Sequence, residues 1–321
     1  MNNTEIYKKT LGFSLRRLMW DFIAFIVFAA LTIGGFLIAE TTADSGLIGL
    51  GIGAIIGGIV MYLILHYIAF SYKAGQIAMM TEGVVKGKLP ENVIEKGKKV
   101  VKERFATVVA YYAVTGAIKG IFQQIGNGIT AVGQAVGGDT GSTIGSTISS
   151  VIQTIVAYLC DCCLGWVFYR KDEKATKATL EGAVLFFKHG KTLAKNLGRV
   201  FGISILSFLA IGGVFGGIAY LILSGFPEAF ANFSSEVVSK ISDAPEWLSD
   251  PNVVTIICAI IIGTMFWSFL HSTFVRPFIL VGVLRNYINS GINDIPSEKD
   301  FNALDSKSSK FKKLHEEVKA E

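Results

Sequence analysis

The chain has 321 residues, 51% hydrophobic and only 17% charged, with mean hydropathy +0.50 and a net charge of +5. Soluble proteins carry about 25% charged residues, so two ordinary soluble domains are a poor fit, and the chain is too apolar for disorder. The four cysteines all lie in or beside apolar segments, which argues against a disulfide scaffold.

A membrane helix needs about 20 mostly apolar residues, because its backbone must satisfy itself across about 30 Å of hydrocarbon. Six segments qualify: Trp20–Ala39, Gly46–Tyr72, Phe105–Ile125, Thr143–Tyr169, Val200–Leu223 and Val253–Val275. The predicted fold class is therefore all-α: a polytopic helical membrane protein of six transmembrane helices. They form three hairpins, with cytoplasmic amphipathic helices between them. Residues 1–299 form one membrane domain and 300–321 a charged cytoplasmic tail.

The N-terminal segment carries Lys8, Lys9, Arg16 and Arg17 ahead of the first span. That span has an apolar stretch of about 18 residues, longer than the usual 7–15 of a signal peptide, so it reads as a span. In the second span Gly49, Gly53 and Gly57 recur every four residues. Such spacing puts missing side chains on one helix face and lets a neighbour approach closely. Packing within the chain is the preferred reading, ahead of an oligomer face. His66 falls near the inner end of this span.

Eight Lys and Arg residues separate spans two and three. Lys119 sits 14 residues into span three, about 21 Å from the inner boundary at 1.5 Å per residue. It is expected to snorkel outward. Gly133, Gly137, Gly141 and Gly145 precede span four, and Gly-rich backbone of this kind suits a re-entrant or packing segment. Asp161 lies about 12 Å deep in span four. A carboxylate there is expensive and hard to snorkel, which makes it the best single candidate for a translocation or intramembrane polar site. Lys119, His66 and His271 are the weaker ones. The run Cys160-Asp161-Cys162-Cys163 is read as apolar cysteine rather than a zinc site, since adjacent helical residues point about 100° apart and zinc spacings are wider.

Between spans four and five, Lys188, Lys191, Lys195 and Arg199 share one helix face, opposite Phe186, Leu193 and Leu197. A basic face of this kind can contact anionic lipid; a plain flank continuing into the span is the competing reading. Span five contains Gly212 and Gly216. The outer loop Phe226–Pro251 has helix-like spacing of Phe226, Phe230, Phe233, Val237 and Ile241, then turns through Pro245 and Pro251. His271 lies near the inner end of span six. A short helix near Lys307–Ala320, after a mobile connection, is expected in the tail.

Of the 30 Lys and Arg residues, 28 fall on one side of this six-span arrangement, and the alternate loops are acidic. Both termini are therefore expected in the cytoplasm of a cell membrane. Gly83, Gly182 and Gly282 are spaced 99 and 100 residues apart; a threefold hairpin repeat and shared topology explain this equally well.

No Walker A motif, HExxH, nucleophile elbow or dinucleotide fingerprint occurs. The expectation is a non-enzyme without a cofactor or bound metal. Its partners are the lipid bilayer, anionic lipid at the cytoplasmic face and a second copy of the chain, not nucleic acid. A membrane scaffold or assembly factor is the leading reading. A small-solute or ion channel or transporter is the alternative.

Overall fold

The computed structural model describes residues 1–43, 45–105, 110, 112–121, 123–124, 157–240 and 245–320. These residues form an all-helical protein, with no strand among them. Among the described residues four helices are long and apolar enough to cross a membrane: Asn3–Thr42, Ile48–Lys86, Gly202–Leu223 and Pro251–Asn293. They overlap the predicted first, second, fifth and sixth spans. The chain divides into two compact units, Met1–Asn196 with Phe278–Glu321, and Leu197–Pro277.

In the larger unit, α1 (Asn3–Ala43) is a single unbroken helix of 41 residues, about 60 Å long. Its two halves have different surroundings. Ile6, Thr10, Phe13 and Ser14 recur at helical spacing and are buried against protein. From Met19 onward the large apolar residues, among them Phe22, Phe25, Ile26, Ile33 and Leu37, are exposed, as a lipid-facing surface requires. The returning helix α2 (Gly46–Ile64) repeats the pattern in reverse. Ile48, Ile52, Ile55 and Ile59 are exposed. After a π-helical turn at Leu65–Ala69, α3 (Phe70–Lys86) buries Tyr72, Ile77, Met79 and Met80.

The glycine face of α2 is spent on α1. A Cβ at Gly49 would lie 2.1 Å from the Gly35 carbonyl oxygen, and one at Gly53 2.3 Å from that of Leu31. Gly57 faces Phe28. The falling partner numbers make the pair antiparallel, and the contact is backbone to backbone. Gly133, Gly137, Gly141 and Gly145 lie outside the described residues.

Past α3, Gly87 takes φ 66° and accepts the N-terminal ammonium at 3.2 Å on its carbonyl. Helix α4 (Val93–Arg104) then packs Val93, Gly97, Val100 and Val101 inward. Helix α5 (Ala157–Tyr169) is the described part of the predicted fourth span. It is not lipid-facing: Tyr158, Leu159, Cys162, Leu164, Trp166, Val167 and Phe168 are all buried. Gly165 meets Leu284 and Thr81, so the neighbours of α5 are protein helices. The first half of α6 (Ala175–Ser207) and α10 (Arg276–Asn293) complete this interior, with Leu180, Val184, Leu284, Tyr287 and Ile288 buried.

Two further expectations are revised here. The tail is not preceded by a mobile connection: a capping box of Ser297 and Asp300 starts α11 (Glu298–Asp305), followed by α12 (Ser309–Ala320). Phe311 and His315 of α12 are buried. The described part of predicted span three, helical at 112–121, meets this tail. Gln124 donates to Ser309 Oγ at 2.7 Å and accepts from Ser308 Oγ at 2.8 Å. Gly120 faces the Lys310 side chain. A helix reaching the outer surface at Ile125 and a tail on the inner side cannot share these bonds.

In the smaller unit α7 (Gly213–Leu223) packs antiparallel on α9 (Pro251–Leu270). A Cβ at Gly263 would fall 2.5 Å from the Gly212 carbonyl oxygen, and Gly216 lies against Ala259 and Gly263. Between them α8 (Pro227–Lys240) supplies the predicted outer-loop helix. Asp250 caps α9 through the Asn252 amide at 2.9 Å, with Pro251 in the first helical position.

Both returning arms carry a π-helical turn near the predicted inner end of their spans, at Leu65–Ala69 and His271–Val275. Aligned on His66 and His271, the arms share Ala-Ile-Ile at 54–56 and 259–261, Gly58 with Gly263, and Leu65 with Leu270. Gly83 and Gly282 fall on returning arms but Gly182 on an outgoing one, so their even spacing does not mark one structural position.

Candidate functional site

Asp161 projects from α5 into the interior of the larger unit, flanked by the buried Cys162 and Cys163. Its carboxylate meets Lys73 Nζ at 2.7 Å, the ammonium arriving from the first turn of α3. The Asp161 side chain is 5% exposed and that of Lys73 35%. The pair is therefore asymmetric: one charge is removed from water, the other keeps a solvated edge. A buried carboxylate persists only when paired and hydrogen-bonded, and Lys73 supplies that pairing here. Chemically the arrangement neutralises a charge and ties α3 to α5.

The remaining translocation candidates are scattered. The His66 ring stacks on Tyr62 at 4.7 Å and on Tyr112 at 3.6 Å, and the Tyr112 hydroxyl donates to the His66 carbonyl at 2.6 Å. His271 Nε2 lies 3.1 Å from Ser204 Oγ, with its ring 5.1 Å from that of Trp267. Trp267 in turn donates to Ser207 at 3.0 Å. Lys119 is exposed on the 112–121 helix. The structure thus holds Asp161 on Lys73 and His66 on Tyr112.

Of the basic face, Lys188 is described. Its ammonium binds Asp294 at 2.7 Å and Asp300 at 3.0 Å, clamping α6 to the residue just past α10 and to α11. The two carboxylates raise the Lys188 pKa. Hydrogen bonds from Ser297, with help from Lys188, depress that of Asp300 to about 2. The side chains of Lys191, Lys195 and Arg199 lie outside the described residues.

One cluster escaped the sequence reading. Glu181, buried on α6, accepts from Trp166 Nε1 at 3.0 Å and from Arg170 Nε at 2.9 Å. Arg170 also reaches Asp172 at 3.0 Å and Glu173 at 3.1 Å. Arg104 donates to the carbonyls of Glu173 at 2.7 Å and Arg170 at 3.0 Å, joining the end of α4 to the α5–α6 turn. The available signal was Glu181 within the apolar run Thr179–Phe187, a carboxylate that needs a partner. The carboxylates here are matched by guanidinium and indole donors, which describes a brace rather than a reaction centre. Comparison with protein-family models, with curated proteins and with solved structures finds no match.

Proposed function

We propose that this chain is a polytopic scaffold or assembly factor of the cell membrane, without catalytic activity. Its exposed apolar arms sit in the bilayer, and its packed helices and charged tail lie in the cytoplasm with both termini. Anionic lipid of the inner leaflet is its lipid partner. The observation that carries this reading is the Lys73–Asp161 pair: the residue best placed to line a path is enclosed by protein and already neutralised. The antiparallel pairs α1–α2 and α7–α9 support it, since each is closed by glycine contacts at backbone distance. A second copy of the chain would have to use a face other than Gly49, Gly53 and Gly57.

The orientation rests on the segregation of Lys and Arg. It is the same for four crossings as for six, because removing a pair of spans leaves later segments on the same side. Solute flux into liposomes holding the purified chain tests the function. The expected result is no flux above empty liposomes across a panel of ions and small solutes. Flux that disappears in Asp161→Asn would replace the scaffold by a channel or transporter.

A further inference from the structure

Arg16, Trp20, Tyr72 and Lys98 come together from three helices of the larger unit. Arg16 and Trp20 are one turn apart on α1, so they share a face. Lys98, on α4, donates to the Tyr72 hydroxyl of α3 at 3.0 Å and lies 4.3 Å from the centre of its ring. The Trp20 indole N–H is directed at the same hydroxyl, and Arg16 lies within electrostatic reach of it. The Trp20 indole nitrogen is shielded from solvent, and its approach to that hydroxyl falls short of full hydrogen-bonding geometry. A buried donor left in this state is costly.

The cluster is rich in donors and poor in acceptors. With its lone pair engaged by Lys98, the Tyr72 hydroxyl has its own proton left to give. Among the described residues neither Arg16 nor Lys98 pairs with a carboxylate; the nearby Asp21 is held by Arg17 at 3.7 Å, and Glu95 is exposed. Two cations and an indole N–H gathered about a phenol O–H suit a phosphate, whose oxygens can accept from each of these donor types.

The level of the cluster along the helices selects the source of that phosphate. Trp20 lies at the start of the exposed apolar run of α1, and Tyr72 about a turn and a half past the end of that on the returning arm, at Tyr67. Tyrosine and tryptophan collect at headgroup depth, where inner-leaflet phosphates meet basic side chains. We infer that Arg16, Trp20, Tyr72 and Lys98 form a binding site for the phosphate of an anionic glycerophospholipid in the inner leaflet. This rests on the reading of Trp20–Ala39 as a membrane span.

Native mass spectrometry of the full chain in detergent, titrated with phosphatidylglycerol, tests the site. Phosphatidylcholine is the zwitterionic control. Losing charge-assisted hydrogen bonds at a partly exposed site is expected to weaken phosphatidylglycerol binding about tenfold in Arg16→Ala/Lys98→Ala. Trp20→Phe keeps the ring, removes the N–H and is expected to weaken binding about threefold. Lys8→Ala/Lys9→Ala removes an exposed basic pair of α1 outside the cluster and is expected to leave binding unchanged. Equal binding of phosphatidylcholine, no loss in Arg16→Ala/Lys98→Ala, or an equal loss in Lys8→Ala/Lys9→Ala would overturn the proposal. Inorganic phosphate at millimolar concentration is expected not to displace the lipid. Displacement would reassign the site to a soluble phosphate. Failure of the span reading shows separately, as release of the chain from membranes by alkaline carbonate.

Discussion

Lys73→Met is expected to destabilise the protein more than Asp161→Asn, although both break the same ion pair. At 2.7 Å the gross attraction is about 6 kcal/mol for an effective dielectric constant of about 20. Removing the lysine takes its ammonium away from a carboxylate that is only 5% exposed. Breaking a buried pair in this way costs about 3–5 kcal/mol. Removing the carboxylate instead leaves Lys73, 35% exposed, free to turn its ammonium toward water. Solvent screening at such a site brings that cost down to about 1 kcal/mol or less. The difference, about 2 kcal/mol or more, is readable as a shift in the midpoint of thermal or denaturant unfolding in detergent, followed by circular dichroism. Lys73→Met/Asp161→Asn, which buries no unpaired charge, is expected to recover most of the loss. If Asp161→Asn proves as damaging as Lys73→Met, then Lys73 is not what keeps the carboxylate in the interior, and the scaffold reading loses its main support.

Three other outcomes are expected. Gln124→Cys/Ser309→Cys, oxidised in native membranes, should give an intramolecular cross-link detectable by peptide mass; no cross-link would restore residues 105–125 as an outward span. Gly53→Val should lower the unfolding midpoint by an overpacking cost of about 1–3 kcal/mol, because its Cβ would meet the Leu31 carbonyl at 2.3 Å. Gly51→Val, with nothing within 4 Å, should not. Docking of the tail should be stable to acid until the Asp300 carboxylate is protonated. Its folded pKa, about 2, lies below the ordinary value of 3.8, so its contribution is complete above pH 4 and is lost as pH falls through 2. Amide exchange in α11 as a function of pH checks this, and Lys188→Ala should move the onset of fast exchange to higher pH.

The lipid-facing parts of the fold were legible because lipid asks for one simple thing, an uninterrupted apolar surface. Met19 through Ile38 and Ile48 through Tyr67 meet it on one arm each. The inner helices were harder. Protein interior and bilayer select the same side chains, so the run ending in Trp166, Val167 and Phe168 read as a span, and in the structure these residues are buried among protein helices. The sequence reading named no partner for Asp161; Lys73 is 88 positions away and its neighbourhood depends on tertiary packing. Lys188 read as part of a basic face toward lipid or of a plain flank, and its two carboxylates could not be named because they lie more than 100 residues downstream. The spacing of Gly49, Gly53 and Gly57 did announce close approach, and periodicity alone carried that much. Periodicity has no term for the identity of the neighbour, which turned out to be α1.

The two arms of the first antiparallel pair differ as mechanical parts. Helix α1 runs unbroken from the buried Ile6 to the exposed Ile38. The returning arm reaches the interior only after its π-helical turn at Leu65–Ala69. A helix of this length adjusts to bilayer thickness by tilting, and a rigid rod pivoting near Trp20 moves its inner end as a lever. The returning arm has a joint at the corresponding depth, where the ladder of hydrogen bonds changes pitch. With the arms placed in a bilayer as proposed, a thinner bilayer would rotate Ile6 and Phe13 within their sockets while α3 stayed seated. On that placement the same tilt that matches α1 to its surroundings would be felt by the helices packed on its first turns.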